Sequence, residues 1–285
     1  MTVTARQVVD AGAKRLRNAG VPEADIKMEW WVAEALAVRR DRLDSVMPDA
    51  EKLAMIESGV ARLLQHEPLQ HVIGHVPFLD VNLFVDDRAL VPRPETEELV
   101  SRISETLQGR GDEISRVADV GCGTGCIALA LAKRHPTMHV YAIDNSADAL
   151  ALARKNAAAN DLEARVTLIK GDLLAEIPPG ILDVVVSNPP YIASAEIAGL
   201  DASVREFEPL AALDGGPDGL VIIRRLVEQA FTSLKNDGRL WLEIGDEQGE
   251  AVRDIMENAG FADVEINCDM YGKTRFASGL KCCRS

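Results

Sequence analysis

Apolar residues in the first seventy positions recur at the spacing of an α-helix. Three stripes can be read, each with apolar side chains three or four residues apart, and polar or proline-containing segments separate them. The stripes are Val9, Ala13 and Leu16; Ile26, Trp30, Ala33 and Ala37; and Leu53, Ile56, Val60, Leu63 and Leu64. Three helices with one apolar face each predict a small bundle, with the Trp30–Trp31 pair in its core rather than at a ligand platform.

The pattern changes to a shorter period after residue 70. Apolar residues are grouped around Asp80 in two short extended pieces, at Val76, Phe78, Val81, Leu83 and Val85. These pieces predict a β-hairpin. Pro92 and Pro94 disfavour helical geometry in the residues before them, so the next helix is expected to begin at about Glu95.

From residue 116 onward, short apolar runs alternate with helical stretches. The runs are Val117–Val120, Val140–Ile143, Val166–Ile169, Leu182–Val186, Leu240–Ile244 and Val264–Ile266. Helical patterns between them include Ile127–Lys133 and Ala147–Ala159. This alternation predicts an α/β fold with a mostly parallel, doubly wound sheet. The expected domains are therefore a helical domain over 1–69, a hairpin linker over 70–94 and an α/β domain over 95–285.

Composition and charge limit the partners that the protein can have. The chain has 285 residues, of which 47% are hydrophobic, so it can bury a sizeable core and is not globally disordered. Its net charge is −14. Residues 1–75 are nearly neutral, so the acidity lies in the rest of the chain. An acidic chain is poorly suited to the nucleic-acid backbone or to an anionic membrane surface, so neither is expected as a stable partner.

The cysteines and the apolar runs indicate a location in the cytoplasm. The odd set of Cys122, Cys126, Cys268, Cys282 and Cys283 has no repeated spacing, which is unlike a disulfide framework. We find neither a signal-peptide pattern nor an apolar run of the roughly 18 residues that a membrane helix needs. A reducing, cytoplasmic setting is therefore expected.

A glycine-rich segment follows the first predicted strand of the α/β region. It reads Asp119-Val-Gly121-Cys-Gly123-Thr-Gly125 and opens a predicted helix. Glycines allow a sharp turn and a close approach of the backbone to a ligand. Asp144 ends the second strand, where it can accept hydrogen bonds from ribose hydroxyls, and Gly171-Asp172-Leu173 follows the third. The spacing is not that of a nicotinamide fingerprint or a phosphate loop, and it resembles the S-adenosylmethionine (SAM) loop of Rossmann-like methyltransferases.

A second motif, Asn188-Pro189-Pro190-Tyr191, follows the fourth strand. A planar nitrogen is a poor nucleophile because its lone pair is delocalised, so it must be held in line with the bond that breaks. The Asn188 side-chain oxygen and the Pro189 carbonyl can accept both N–H bonds of such a nitrogen. The prolines stiffen the loop, and Tyr191 offers a flat face to a planar group. Behind a SAM-type loop, this motif predicts methylation of a planar nitrogen.

These motifs and several further segments resemble the peptide chain release factor N(5)-glutamine methyltransferases, the HemK-like family. The further segments are Gln70–Gly74, Phe78, Phe84, Val91–Glu97, Glu208-Pro209, Gly215-Gly216 and Leu242–Gly245. The resemblance runs from Gln70 to about Leu280, and the helical front end is similar in kind to the family's substrate-recognition domain. It implies a Rossmann-like SAM-dependent methyltransferase domain with a mostly parallel seven-stranded sheet, preceded by a small helical bundle and a hairpin linker.

The resemblance also implies roles for individual residues. The implied SAM-binding residues are Gly121, Cys122, Gly123, Thr124, Gly125, Asp144, Asp172, Leu173 and Asn188. The implied holders of the substrate glutamine, in the Gly-Gly-Gln motif of class I release factors, are Asn188, Pro189, Pro190 and Tyr191, with Asn188, Pro189 and Tyr191 catalytic. Two positions depart from many relatives. Cys122 stands where Thr or Ser is common, and Leu173 stands where some relatives have an aromatic residue.

Three alternatives remain open from the sequence. Pro92–Glu97 is the sharpest marker of the subfamily, since related enzymes that methylate a glutamine of a ribosomal protein differ after the Pro-Arg. A ribosomal-protein glutamine methyltransferase is nevertheless the first alternative. An adenine N6 methyltransferase of nucleic acid shares the Asn-Pro-Pro-Tyr motif and is the second. The third is a SAM-binding module without catalysis.

Other polar residues receive plainer interpretations. His71 and His75 lack further ligands nearby in sequence, so no metal is expected. Cys122 and Cys126 are expected to be small buried residues. Glu208 could either orient the substrate loop or cap it.

Overall fold

The computed structural model describes residues 3–107 and 116–282, and Cys283 lies outside them. The chain divides into two compact units. The first comprises Met1–His75 together with Asp201–Phe207, and the second comprises Val76–Leu200 and Glu208–Ser285. The division from the first unit to the second therefore falls at the start of the hairpin. The assignment of substrate recognition to the front domain stays a prediction.

The first unit is a bundle of short helices. Its helices are α1 (Ala5–Asn18), α2 (Ala24–Leu36), α3 (Ala50–Leu63) and α4 (Leu69–Ile73), with a 3-10 turn at Arg40–Ser45. A capping box begins α1, in which Thr4 and Gln7 each bond the other's backbone N–H. Asp49 caps α3 by accepting from the Lys52 N–H at 2.8 Å. The three predicted helices are confirmed, and α4 is an additional turn that the apolar pattern did not indicate.

The apolar face of α2 differs from the predicted stripe. Ile26 and Trp30 are about half exposed, whereas Met28 and Trp31 are buried. The Trp31 indole N–H donates to the Ile56 carbonyl at 2.9 Å. Trp30 instead lies against the Arg40 guanidinium, with 4.1 Å from the guanidinium carbon to the ring centroid. The prediction of a buried tryptophan pair is thus right for Trp31 and wrong for Trp30, because adjacent helical residues point about 100° apart.

The second unit contains the nine strands found in the described residues, except for His75, the first residue of the hairpin. The hairpin strands are β1 (His75–Phe78) and β2 (Val81–Phe84), as predicted. The other strands are β3 (Arg116–Val120), β4 (His139–Asp144), β5 (Val166–Lys170), β6 (Leu182–Ser187), β7 (Leu234–Glu243), β8 (Phe261–Cys268) and β9 (Thr274–Lys281). The helices of this unit are α5 (Pro94–Leu107), α6 (Cys126–Arg134), α7 (Ala147–Ala159), α9 (Val221–Ser233) and α10 (Gly249–Ala259). The short helix α8 (Ala202–Arg205) lies in the Asp201–Phe207 segment of the first unit.

The large sheet has seven strands in the order β5-β4-β3-β6-β7-β9-β8. The first five strands in that order are parallel, and β9 is antiparallel to both of its neighbours. This confirms the predicted α/β class and the mostly parallel sheet. The apolar pattern of the sequence did not predict the strand β9. Its Phe276, Ala277 and Ser278 are all buried, so the strand lacks the alternation that marks a half-exposed strand.

Helices cover both faces of this sheet. One buried cluster joins α5 and α6 to the sheet through Leu99, Ile103 and Leu131. A second joins α9 and α10 through Leu226 and Val252. Because β3, β4, β5 and β6 run parallel, the loops at their carboxyl ends meet at one edge, where ligands of such folds bind. No helix in the described ranges is long and apolar enough to cross a bilayer.

Candidate active site

A cavity of about 670 Å³ opens at the carboxyl edge of the parallel strands. The loops after β3, β4, β5 and β6 all contribute to its wall. Of the site residues predicted from sequence, it is lined by Gly121, Cys122, Gly123, Thr124, Asp144, Asp172, Leu173, Asn188 and Pro190. Gly125, Pro189 and Tyr191 are not in this wall. Gly125 precedes α6, Pro189 is buried and Tyr191 is half-buried.

The glycine-rich loop turns sharply between β3 and α6. The N–H groups of Gly121 and Cys122 both donate to the Ile143 carbonyl, at 2.8 and 3.0 Å. Gly121 has a φ of 70°, a left-handed conformation that glycine adopts at little cost. A Cβ at Gly121 would meet no atom within 4 Å, so this backbone faces open space. The loop therefore lets a ligand approach the main chain closely.

The buried amide of Asn156 braces this loop against the hairpin. Its Nδ2 donates to the Thr124 carbonyl at 2.9 Å, and its Oδ1 accepts from the Phe84 N–H at 2.8 Å. Asn156 lies on α7, inside a predicted helix, and nothing in the local sequence indicates this role. The hairpin thus supports the cavity wall as well as connecting two regions of the chain.

Asp144 ends β4 with its carboxylate held by two backbone donors. Oδ2 accepts from the Gly123 N–H and Oδ1 from the Ser146 N–H, both at 2.9 Å. An ionised carboxylate can accept about four hydrogen bonds, so each oxygen retains a lone pair for a ligand hydroxyl. This position at the cavity wall suits the predicted interaction with a ribose.

The loop after β5 supplies a charged and an apolar residue to the wall. Asp172 forms an ion pair with Arg225 of α9. Leu173 follows with a φ of 57°, which is unusual for a residue other than glycine, and its side chain packs against the buried cluster under α9. An aliphatic face, rather than an aromatic ring, therefore lines the cavity here.

The Asn188–Tyr191 loop is anchored at both ends. Before it, the Ser187 hydroxyl donates to the Val120 carbonyl at 2.6 Å, which ties the end of β6 to the end of β3. At its other end, the Gln248 Nε2 donates to the Tyr191 carbonyl at 2.9 Å. Burial raises the pKa of the Tyr191 phenol, and the nearby Glu243 raises it further. Tyr191 is therefore a neutral ring at physiological pH.

The Asn188 side chain contacts residues far away in sequence. Its Nδ2 donates to the Thr96 Oγ1 at 3.2 Å. The Thr96 hydroxyl in turn donates to the Glu243 Oε2 at 2.7 Å. Both Thr96 and Glu243 are buried, at 2% exposure each. Sequence reasoning placed both residues in motifs of the resembled family without giving either of them a role.

Glu208 clamps the segment that precedes α5. Both of its carboxylate oxygens accept from the Arg93 Nη2, at 2.9 and 2.7 Å, and Oε1 also accepts from the Val91 N–H. Burial raises the pKa of Glu208, against the lowering effects of Arg93 and the Val91 N–H. These bonds hold the Val91–Arg93 segment. Whether Glu208 orients or caps the substrate loop stays a prediction.

Two buried carboxyls next to the cavity have raised pKa values. Burial raises the pKa of Glu243 to about 7, opposed by the Thr96 hydrogen bond. Burial also raises the pKa of Asp119, at the end of β3, to about 7. The Asp119 Oδ2 accepts from the Ala128 N–H at 3.0 Å. Asp119 thereby holds the first turn of α6 against β3.

The cysteines and histidines of the described ranges have partners and surroundings of ordinary kinds. Burial raises the pKa of Cys126 to about 12 and that of Cys122 well above its usual range, so both are thiols at neutral pH. His71 is buried, and the His75 Nε2 lies 3.0 Å from a Glu34 carboxylate oxygen. Across residues 3–107 and 116–282, no three His, Cys, Asp or Glu side chains are grouped as metal ligands.

Two family models match parts of the chain. Residues 7–74 match the PrmC N-terminal domain, and residues 96–203 match the methyltransferase small domain. The first match coincides with the helical unit. The second begins at Thr96 and covers the glycine-rich loop and Asn188–Tyr191.

Two relatives that align with nearly the whole chain carry the same name. A release factor glutamine methyltransferase of Geobacter sulfurreducens is 38% identical over 97% of this chain and 96% of its own length. Another of the same name, from Moorella thermoacetica, is 39% identical over 96% of this chain and 97% of its own.

Solved structures share the fold at low sequence identity. A methyltransferase of Pyrococcus furiosus is 18% identical with a TM-score of 0.54, covering 82% of this chain and all of its own. The 16S rRNA N2 G1207 methyltransferase of T. thermophilus, in complex with AdoMet and guanosine, is 17% identical with a TM-score of 0.52, covering 73% of this chain and 49% of its own. These likenesses concern the fold.

Proposed function

The chain belongs to the release factor glutamine methyltransferase family, and on that premise we propose that it methylates a glutamine of peptide chain release factors. The acceptor is the side-chain amide nitrogen of the glutamine in the Gly-Gly-Gln motif, and the methyl donor is SAM. The protein partner is a class I release factor, and the reaction takes place in the cytoplasm.

The cavity suits SAM in size and in chemistry. Its volume of about 670 Å³ lies within the range of small-ligand pockets. Gly121 presents open backbone, and the free lone pairs of Asp144 can accept from ribose hydroxyls. Asp144 contributes a carboxylate to the wall without a cationic side-chain partner among its hydrogen bonds, whereas Asp172 is paired with Arg225. The proposed SAM-binding residues are Gly121, Cys122, Gly123, Thr124, Gly125, Asp144, Asp172, Leu173 and Asn188.

The chain's own contribution to the transfer is orientation of the amide. SAM, when bound, supplies an electrophilic methyl group on a positively charged sulfur. The Asn188 Oδ1 and the Pro189 carbonyl accept the two N–H bonds of the glutamine amide, and Tyr191 and Pro190 flank its plane. The N–CH₃ bond forms as the S–CH₃ bond breaks, the bonding pair leaves with the sulfur, and one amide proton passes to solvent. Correct orientation can lower such a barrier by about 7–11 kcal/mol.

The observation that carries this proposal is a shared wall. Asn188 lines the same cavity as Gly121 and Asp144, so an acceptor for an amide N–H lies beside the proposed SAM site. The Ser187 and Gln248 hydrogen bonds hold the loop there. A separate SAM-binding module would not need such an acceptor in its wall.

The test is transfer of a labelled methyl group. The purified protein is incubated with methyl-labelled SAM and a purified class I release factor, and the labelled residue is identified by mass spectrometry. We expect label on the Gly-Gly-Gln glutamine and none on a factor in which that glutamine is alanine. Label on a ribosomal protein or on nucleic acid, with none on the factor, would establish one of the alternatives instead.

A further inference from the structure

A side-chain amide can adopt two orientations of nearly the same shape and opposite chemistry. In one, the Asn188 oxygen faces the substrate and accepts an N–H. After a rotation of about 180°, the NH₂ group faces the substrate and opposes the substrate's own N–H donors. The shape of the pocket hardly distinguishes the two, so another contact has to select the productive orientation.

The hydrogen bonds of Thr96 provide this selection. Glu243, when ionised, can only accept, so the Thr96 hydroxyl hydrogen is directed to its Oε2 at 2.7 Å. The Thr96 oxygen is then left as an acceptor toward Asn188. Only the NH₂ end of the Asn188 amide can satisfy that acceptor, at 3.2 Å. The polarity of the chain from carboxylate to hydroxyl to amide therefore directs Oδ1 away from Thr96.

Burial makes this selection effective. Thr96 and Glu243 are each 2% exposed, so water does not compete readily for their hydrogen bonds. A hydrogen bond in such surroundings is strong, and an unpaired partner there is costly. Thr96 lies in the first turn of α5 and Glu243 ends β7, so both are held by regular structure.

We propose that Thr96 and Glu243 are positioning residues that fix the orientation of the Asn188 amide. The catalytic consequence rests on the proposed function, whereas the orientation itself does not. Neither residue touches the substrate in this scheme. They act through Asn188, and the rate of transfer depends on them even when the binding of SAM and release factor does not.

The first test separates rate from binding. Thr96→Val keeps the shape and removes the hydroxyl, Thr96→Ser keeps the hydroxyl, and Thr106→Val on the same helix is the matched control. The Thr106 hydroxyl donates to the Arg102 carbonyl, one turn earlier. We expect Thr96→Val to lower kcat by up to about 10²-fold, the effect of a small misplacement, with KM for the factor and Kd for SAM nearly unchanged. Thr96→Ser and Thr106→Val should stay close to the wild type.

The second test does not depend on activity. Hydrogen exchange of the Asn188 side-chain NH₂ is followed by NMR in ¹⁵N-labelled protein, with exposed Asn18 as the reference. We expect slow exchange in the wild type and in Thr96→Ser, and fast exchange in Thr96→Val. Exchange of wild-type Asn188 as fast as that of Asn18 overturns the proposal, even if Thr96→Val fails to fold. A kcat of Thr96→Val equal to that of Thr96→Ser overturns it as well. If the wild type does not methylate the factor, the proposed function fails and the exchange measurement still decides the orientation.

Discussion

Asn188 is the residue on which the proposed chemistry depends most directly. Asn188→Ala removes the oxygen that would accept one N–H of the substrate amide. We expect kcat to fall about 10²–10³-fold, as for loss of a transition-state hydrogen-bond partner, while SAM still binds. Steady-state kinetics measure the fall in kcat, and calorimetric titration measures the binding of SAM. Asn267→Ala in β8 is the control. If Asn188→Ala retained wild-type turnover, a function without catalysis by this loop would be indicated.

The ionisation of Glu243 should appear in the pH dependence of the rate. Its pKa is raised to about 7 by burial. A protonated Glu243 can donate to Thr96 and reverse the polarity of the hydrogen bonds, so the active form is the ionised one. The charged and titratable groups that act on or near this carboxyl are Arg275 of β9, Glu95 of α5, Arg93 before α5, Tyr191 after β6 and Cys126 of α6.

We therefore expect kcat to fall as the pH is lowered through about 7, approaching about tenfold per unit on the acid side. The profile is measured with saturating factor and SAM. In Glu243→Gln the acid limb should disappear, because the amide does not titrate in this range. Asp119→Asn is the necessary control, since the pKa of Asp119 is also about 7. An acid limb that persists in Glu243→Gln and vanishes in Asp119→Asn would assign the dependence to Asp119.

Among the elements, the placement of helix α5 depends on the Val91–Arg93 segment before it. Glu208 holds that segment by hydrogen bonds. The Glu208 side chain is 1% exposed and accepts from Arg93 and Val91. Glu208→Gln places an NH₂ against the Arg93 donors. We expect the free energy of unfolding to fall by about 1–3 kcal/mol, the cost of leaving buried partners unpaired.

Urea unfolding followed by the fluorescence of Trp241, in β7, measures this loss. Trp30 and Trp31 are replaced by Phe in every variant so that only Trp241 reports. The matched control is Asp80→Asn, which removes the exposed Asp80–Arg134 pair and should cost less than about 1 kcal/mol. Equal losses in the two variants would mean that Glu208 acts as an ordinary surface charge.

The elements also explain what the sequence could and could not predict. The Gly121–Gly125 loop and Asn188–Tyr191 are contiguous motifs after apolar strands, so their positions at one sheet edge follow from the alternation of strands and helices. Which face of α2 is buried could not be read from the sequence, because the adjacent Trp30 and Trp31 lie on two apolar faces that overlap in sequence. The partners Thr96 and Glu243 lie 147 residues apart, and Thr96 and Asn188 lie 92 apart. Only the packing of α5 against the sheet brings them together.

Taken as a whole molecule, the chain places its acidity in the unit that holds the cavity. Residues 1–75 carry 10 basic and 11 acidic side chains, against 21 and 34 in the rest. A cationic methyl donor and a neutral amide need no basic surface there. The strongly acidic unit therefore favours a protein acceptor over the nucleic-acid alternative, for which phosphate contacts would be required.

The Gly121–Gly125 loop and Asp144 predict which ligand stabilises the unit that contains the cavity. A ligand at about 100 times its Kd adds about 2.7 kcal/mol to the free energy of unfolding. For a unit of this size each kcal/mol raises Tm by about 2–4 °C. We therefore expect SAM at that excess to raise the Tm reported by Trp241 by about 5–10 °C. ATP should not raise it, since the loop between Gly121 and Gly125 lacks the lysine of a phosphate loop.

The control for this shift is Asp144→Ala, which removes the carboxylate that faces the cavity while its neighbours Gly123 and Ser146 remain. We expect the variant to fold and to lose most of the SAM-dependent rise in Tm, because the ribose hydroxyls lose their acceptor. A rise of the same size in Asp144→Ala would place SAM elsewhere than at the end of β4. A rise with ATP equal to that with SAM would mean that the cavity recognises the adenosine alone and does not distinguish the donor's sulfonium from a triphosphate.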